Sequence, residues 1–252
     1  KNESAVLARC LDSIADLMDE IIIVDTGSTD NTKEIAAQYT SRIYDFKWTS
    51  DFSAARNFSF SKATMEYIYT ADADEILDDA NRERFLRLKD ALLPEIEIVQ
   101  MKYVTQGTFD TVLNAKKEYR PKLFRRLRTF TWIDPIHETV RLTPVTFDSD
   151  VEILHCPQSL HSKRDFSIFI KAFEHDGQFS PKIRTMYAKE LLKTGDKKDF
   201  TDAKPIFQLI FDNDPADDAR KEAACVLARI YRMEDNKNEF FKLTMKDMLT
   251  TP

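Results

Sequence analysis

The chain has 252 residues, of which 42% are hydrophobic and 32% charged, enough apolar material for a buried core and too much for a disordered polymer. Its 37 basic and 43 acidic residues leave a formal net charge of −6, which removes the electrostatic basis for a nucleic-acid partner. Cys10, Cys156 and Cys225 are too few and too scattered for a disulfide framework or a zinc site, so a reducing compartment, the cytoplasm, is expected. No apolar run approaches the roughly 20 residues of a transmembrane helix, which leaves peripheral association at the inner membrane face as the form of membrane contact to consider. The four glycines are few for an all-β chain full of tight turns. The sequence opens on Lys1-Asn2-Glu3 with neither an initiator Met nor a leading strand, so a short N-terminal stretch is expected to be missing.

In chain order, Val6, Leu7, Cys10, Leu11 and Ile14 share one helical face. Glu20 to Val24 reads as a buried strand that ends in the turn Asp25-Thr26-Gly27-Ser28. Asp30 or Ser28 caps a helix running to Gln38. A short strand over Ile43 to Phe46 follows, then a helix over Ala54 to Lys62 capped by Ser53. Tyr67 to Thr70 is a strand ending in Asp72-Ala73-Asp74-Glu75, and a helix spans about Asn81 to Asp90. Further strands are expected over Ile96 to Val104, Lys122 to Arg126, Thr139 to Leu142 and Val151 to His155. The early alternation of helix and strand predicts an α/β fold, a mostly parallel sheet flanked by helices. Ligands of such sheets bind beyond the carboxyl ends of the strands, and Asp25 and Asp72 both fall just past a strand end. After about residue 160 helical patterns take over: Phe166 to Asp176, Pro181 to Lys193, Phe200 to Phe211, Pro215 to Met233 and Asn238 to Met248. Ala188, Leu191, Leu192, Ala223, Ala224, Leu227 and Ala228 look like packed helical faces. These pairs resemble tetratricopeptide hairpins without a clean 34-residue repeat; a plain helical cap is the other reading.

An apolar strand running into Asp-Thr-Gly-Ser is also the signature of aspartic proteases, but that chemistry needs two such aspartates sharing a proton. No second copy occurs, and helices flank this one. In Asp72-Ala73-Asp74-Glu75 two carboxylates near a strand end can approach one cation, and Mg²⁺ and Mn²⁺ prefer oxygen ligands that leave room for phosphate and water. A departing diphosphate needs such neutralisation. The basic run Arg120 to Arg128 reads either as a solvated strand edge or as a site near an anionic ligand.

Taken in order, Lys1-Asn2-Glu3, Arg9-Cys10-Leu11, Asp19 to Asp30, Asp51-Phe52-Ser53-Ala54-Ala55-Arg56-Asn57 and Asp72-Ala73-Asp74-Glu75 closely resemble glycosyltransferase family 2. The likeness is greatest to its bacterial branch with an appended helical or tetratricopeptide-like region, and covers about residues 1–142. The resemblance implies a GT-A-type, Rossmann-like domain over 1–158 and a helical region over 159–252. It implies that Asn2, Glu3 and Asp25 line a UDP pocket, that Arg56 lies near the base or diphosphate, and that Asp72 faces ribose or donor sugar. Asp74 would bind Mn²⁺ or Mg²⁺, with His155 as a further metal ligand or else a structural hydrogen-bonding residue. Trp132 to Glu138 resembles the segment carrying the catalytic base; Glu138 is the candidate and His137 could orient it. Trp48 and Trp132 could stack on sugar rings or pack in the core.

The function expected is a metal-dependent, inverting transfer of a hexose or N-acetylhexosamine from a UDP-sugar to a glycan, lipid-linked or peptide acceptor. Single displacement needs a carboxylate to accept the acceptor's proton, the role given to Glu138. The alternative is a catalytically silent scaffold of nucleotide-sugar fold whose helical tail binds a protein partner.

Overall fold

A computed structural model describes residues 1–105, 117–126, 132–133, 135–136, 139–140, 144–156 and 162–250. The chain divides into two compact units, Lys1–Ile133 with Glu138–Leu160, and Asp134–His137 with His161–Pro252.

The first unit begins with α1 (Leu7–Ile14), which buries Leu7, Cys10, Leu11 and Ile14, the stripe its spacing requires. Then come β1 (Ile23–Asp25), α2 (Thr32–Ala36) and β2 (Ile43–Asp45). β1 and β2 pair in parallel with Asp25 opposite Asp45, joined by a crossover through a helix as parallel neighbours require. β1 is shorter than its apolar run. The Ile21 carbonyl accepts the Thr40 hydroxyl, and the Glu20 carboxylate accepts the Thr64 amide and hydroxyl. The strand's first residues are thus held by side chains rather than by a ladder.

After α3 (Phe52–Lys62) follow β3 (Tyr67–Tyr69), β4 (Glu75–Ile76), α4 (Asp79–Ala91), β5 (Ile98–Thr105), β6 (Lys117–Arg125), β7 (Trp132–Ile133), β8 (Thr139–Val140) and β9 (Thr146–His155). β7 and β8 form their own antiparallel pair. The larger sheet runs β3-β6-β5-β9-β4 and is mixed: β5–β9 is parallel, while β3–β6, β5–β6 and β4–β9 are antiparallel. The parallel arrangement expected from the early alternation is therefore confined to β1–β2 and β5–β9. Strand alternation then assigns the faces. Val99, Met101, Val151 and Ile153 meet Cys10, Ile14 and Phe85 from α1 and α4, whereas Ile98 and Phe124 meet Trp132 and Phe60 of α3. Each fully buried apolar side chain here contributes about 1.5–3 kcal/mol of transfer free energy.

Two local expectations change. The cap of α3 is Asp51, whose carboxylate accepts the Ala54 amide at 3.1 Å and the Ser53 hydroxyl at 2.7 Å; Ser53 sits inside the helix. The basic run is no solvated edge at Lys122, which is buried, because β6 lies between β3 and β5.

The second unit consists of α5 (Ser162–Asp176), α6 (Pro181–Thr194), α7 (Lys197–Asn213), α8 (Asp217–Met233) and α9 (Lys237–Thr250). Ser180 caps α6 ahead of Pro181, and Asp196 and Asp199 form a capping box on α7, both common helix-start chemistry. Buried Tyr187 is stacked on Phe169 at 4.7 Å and packed on Phe207 at 5.3 Å. Ala188, Leu191, Ala223, Ala224 and Leu227 are buried as expected; Leu192 is exposed, about 100° around the helix from Leu191. Among the described residues no helix is long and apolar enough to cross a membrane.

Candidate functional site

The first acidic turn is built by Asp25 at the end of β1. Its carboxylate accepts the Gly27 and Ser28 amides at 3.0 and 2.8 Å and the Ser28 hydroxyl at 2.5 Å. Gly27 has φ +92°, a conformation that only glycine adopts cheaply. Burial alone would raise the Asp25 pKa, but these donors outweigh it and hold it below the usual carboxylate range. The residues before α1 close over this turn. Asn2, itself left-handed at φ +58°, donates its amide to the Ser28 hydroxyl and accepts the Thr29 amide, both at 2.8 Å. The Glu3 amide donates to the Thr32 hydroxyl at 2.8 Å and the Ser4 amide to Asp30 at 3.2 Å. Asn2, Glu3 and Asp25 therefore share one polar corner.

The second acidic turn follows β3. The Glu75 amide donates to the Asp72 carbonyl at 3.0 Å and the Asp72 amide to the Glu75 carboxylate at 3.1 Å, a reciprocal clasp that points the Asp72 and Glu75 side chains differently. Asp72 keeps 47% of its side chain exposed, 3.7 Å from both Arg56 and Lys122. Partial burial opposes ionisation, but the two cations win and hold Asp72 well below the ordinary carboxylate pKa. Glu75 turns inward to Lys122, at 2.5 Å with side chains 2% and 6% exposed. Burial pushes the Glu75 pKa up to about 7, against the pull of Lys122 and with help from the Asp72 charge. Burial also pushes the Cys10 thiol up to about 12; its sulfur donates to the Asp72 carbonyl at 3.4 Å. The Arg120 guanidinium lies over the Tyr103 ring at 3.6 Å.

The Asp74 and His155 positions meet because Glu75 pairs with His155 across β4 and β9, and the Cys156 amide donates to the Asp74 carbonyl at 2.9 Å. His155 Nε2 lies 3.0 Å from Asp74 Oδ2, and the imidazole packs on Tyr103 at 5.0 Å. An ionised carboxylate only accepts, so Nε2 carries the proton it gives Asp74. His155 Nδ1 is buried without a partner among the described residues, which suits a bare nitrogen better than an N–H that would lose its hydrogen bond to water.

Arg56 bridges from Asp72 to Trp132, its guanidinium 4.8 Å above the indole. Trp132 is 5% exposed and packs edge-on against Phe60 and Phe124, so it serves the core. Trp48 packs on Phe52 at 4.8 Å. Glu138 and His137 lie outside the described residues. Glu75, Lys122 and Asn57 belong to this region and were not singled out as site residues. Glu75 and Asn57 stood inside motifs already noticed, and Lys122 inside the basic run.

Among the described residues no three His, Cys, Asp or Glu side chains gather to hold a metal by themselves. Asp74 with His155 offers two donors, an oxygen and an imidazole nitrogen, a set that fits Mn²⁺ or Mg²⁺ once phosphate and water oxygens complete the shell. Asp74 is the readier of the two, since the proton-free nitrogen of His155, Nδ1, is buried and its Nε2 is already engaged with Asp74.

The sequence profile of glycosyl transferase family 2 matches residues 1–143. A TPR repeat-containing protein of Synechococcus elongatus is 44% identical over 77 residues, 31% of this chain and 19% of that protein. The SPbeta prophage-derived glycosyltransferase SunS of Bacillus subtilis is 32% identical over 123 residues, 47% of this chain and 29% of that protein. The matched stretches thus span less than a third of these relatives. Among solved structures, glucosyl-3-phosphoglycerate synthase from Mycobacterium tuberculosis in complex with Mg²⁺ and UDP superposes with a TM-score of 0.48 at 18% identity, covering 71% of this chain and 78% of that one.

Proposed function

Because the chain belongs to glycosyl transferase family 2, we propose that it transfers a hexose or N-acetylhexosamine from a UDP-sugar, with inversion, to a glycan, lipid-linked or peptide acceptor. The corner of Asn2, Glu3 and Asp25 holds the nucleoside. Arg56 faces the diphosphate, Asp72 the ribose or sugar, and Asp74 the metal, steadied by His155. A bound Mn²⁺ or Mg²⁺ neutralises the charge that builds on the leaving diphosphate. Glu138 accepts the acceptor hydroxyl's proton as that oxygen attacks the anomeric carbon.

The observation that carries this reading is the way α1 ties the acidic turns together. The residues leading into α1 are hydrogen-bonded to Ser28, Asp30 and Thr32, while Cys10 on the helix reaches the Asp72 carbonyl. Ala73 packs with Leu7, Leu11 and Ile23 in one apolar cluster. Two acidic turns anchored on one short helix suit a ligand with a nucleoside at one end and a metal-bound diphosphate at the other.

The test is UDP release from a panel of UDP-sugars with Mn²⁺ and candidate acceptors. Release is expected with at least one donor, falling on the order of 100-fold in a folded Asp74→Ala variant, as when one strong transition-state charge contact is lost. A protein that binds UDP yet releases none from any donor would be the silent scaffold instead.

A further inference from the structure

We propose that Asn57 is a positioning residue: it grips the Trp132 main chain and so sets the indole that carries Arg56 toward Asp72. The inference rests on the donor-site reading above and adds to it the element that aims Arg56.

The Asn57 side chain meets Trp132 twice. Its Nδ2 donates to the Trp132 carbonyl at 3.1 Å, and its Oδ1 accepts the Trp132 amide at 2.9 Å. The amide thereby acts as a neighbouring strand would, pairing with both main-chain groups of one residue. Both orientations agree, which fixes which end of the amide is oxygen.

The grip fixes the main chain from which the indole projects, while Ile98, Phe124 and Phe60 pack the ring itself. Trp132 Nε1 is buried and has no hydrogen-bond partner among the described residues. Its ring contacts, Phe60 at 5.9 Å and Phe124 at 5.2 Å, are edge-on and hold the ring that this anchored main chain presents. Its upper face carries the Arg56 guanidinium at 4.8 Å, which in turn stands 3.7 Å from Asp72. Arg56 and Phe60 lie one turn apart on α3, so both reach the same indole. Neighbouring residues of α3 thus divide the work: Asn57 holds the support, and Arg56 lies on it with its charge toward the acidic turn. An arginine laid over a ring keeps its planar fork pre-oriented for a phosphate, where a free one would lose rotamer entropy on binding.

The test is a double-mutant cycle on UDP affinity, titrated calorimetrically with Mn²⁺, for the wild type, Asn57→Ala, Arg56→Ala and the double variant. Losing the two main-chain hydrogen bonds is expected to weaken UDP about tenfold. In the Arg56→Ala background the same change is expected to shift the Kd by less than about twofold, because the residue it acts through is gone. A merely structural Asn57 gives the same loss in both backgrounds, and that result overturns the inference, as does no loss in either. Should Asn57→Ala not fold, Asn57→Asp enters the cycle instead; it keeps the shape and can accept the Trp132 amide, but cannot donate to the carbonyl. With Trp48→Phe in place Trp132 is the sole tryptophan, and its emission is expected to shift to the red on Asn57→Ala; unchanged emission counts against the grip. Wild-type protein that does not bind UDP sinks the donor-site reading and this inference together. Wild-type binding with an additive cycle sinks the inference alone.

Discussion

Replacing Lys122 by Met removes the cation that sits against Glu75 beneath the second acidic turn. The two side chains are 6% and 2% exposed, so the surface-pair value of less than about 1 kcal/mol does not apply. Stranding one member of a buried pair costs about 3–5 kcal/mol. Glu75 has a partial escape. Burial already lifts its pKa to about 7, and without Lys122 it rises further, so protonation relieves the strain in acid. A carboxyl whose folded pKa is raised favours the fold below its unfolded value of about 4.5 and loses that contribution as pH climbs through the folded value. The destabilisation by Lys122→Met is therefore expected to be largest near pH 8, at about 3 kcal/mol or more, and distinctly smaller near pH 5. Urea unfolding followed by circular dichroism at both pH values measures this. Lys122→Met with Glu75→Gln should recover most of the loss at pH 8, since no unpaired charge remains. A single variant within about 1 kcal/mol of the wild type at pH 8 would refute the reasoning.

Three smaller tests concern neighbouring devices. Asp51→Ala removes the α3 cap and is expected to cost about 1 kcal/mol, while Ser53→Ala costs less; a larger effect at Ser53 in chemical denaturation would reverse that assignment. Asp25→Asn weakens charge-assisted bonds from Ser28 and Gly27 worth about 1.5–3 kcal/mol each when the acceptor is charged. Because the folded Asp25 pKa is lowered, its contribution is present above the ordinary carboxylate pKa and lost in acid, so the variant should unfold with a shallower acid limb. Iodoacetamide at pH 8.5 should label exposed Cys225 and spare buried Cys10; burial lifts Cys10 from 9.0 to about 12, and its contribution to stability fades as pH rises through that interval. Rapid labelling of Cys10 in the folded protein would contradict the packing against Asp72.

The parts of this site that were legible from residues alone are local ones. Asp25 and Asp72 were placed because each closes an apolar run, and the end of such a run is where a strand of this fold presents its ligands. His155 also ends an apolar run, on β9, but its part in the site came only from the family resemblance. What escaped depends on pairing across long separations. Lys122 looked like one more cation in a basic run, and only the position of β6 between β3 and β5 buries it. Asn57 meets Trp132 across 75 positions, and nothing local in either segment announces the contact. The mixed direction of the larger sheet has the same origin, since β9 joins β5 in parallel and β4 in antiparallel fashion from far along the chain. At the α3 start the error was one of register: both Asp51 and Ser53 are good caps, and the helix began earlier than its apolar pattern suggested.

The central claim is that the acidic turns form one site for a metal-bound nucleoside diphosphate. Calorimetric titration of UDP, with Mn²⁺ and then with excess EDTA, on the wild type and on folded Asp74→Ala tests it most directly. Binding that requires the cation and falls on the order of 100-fold in the variant is the result predicted. UDP binding of equal strength in EDTA, in Mn²⁺ and in Asp74→Ala would contradict it.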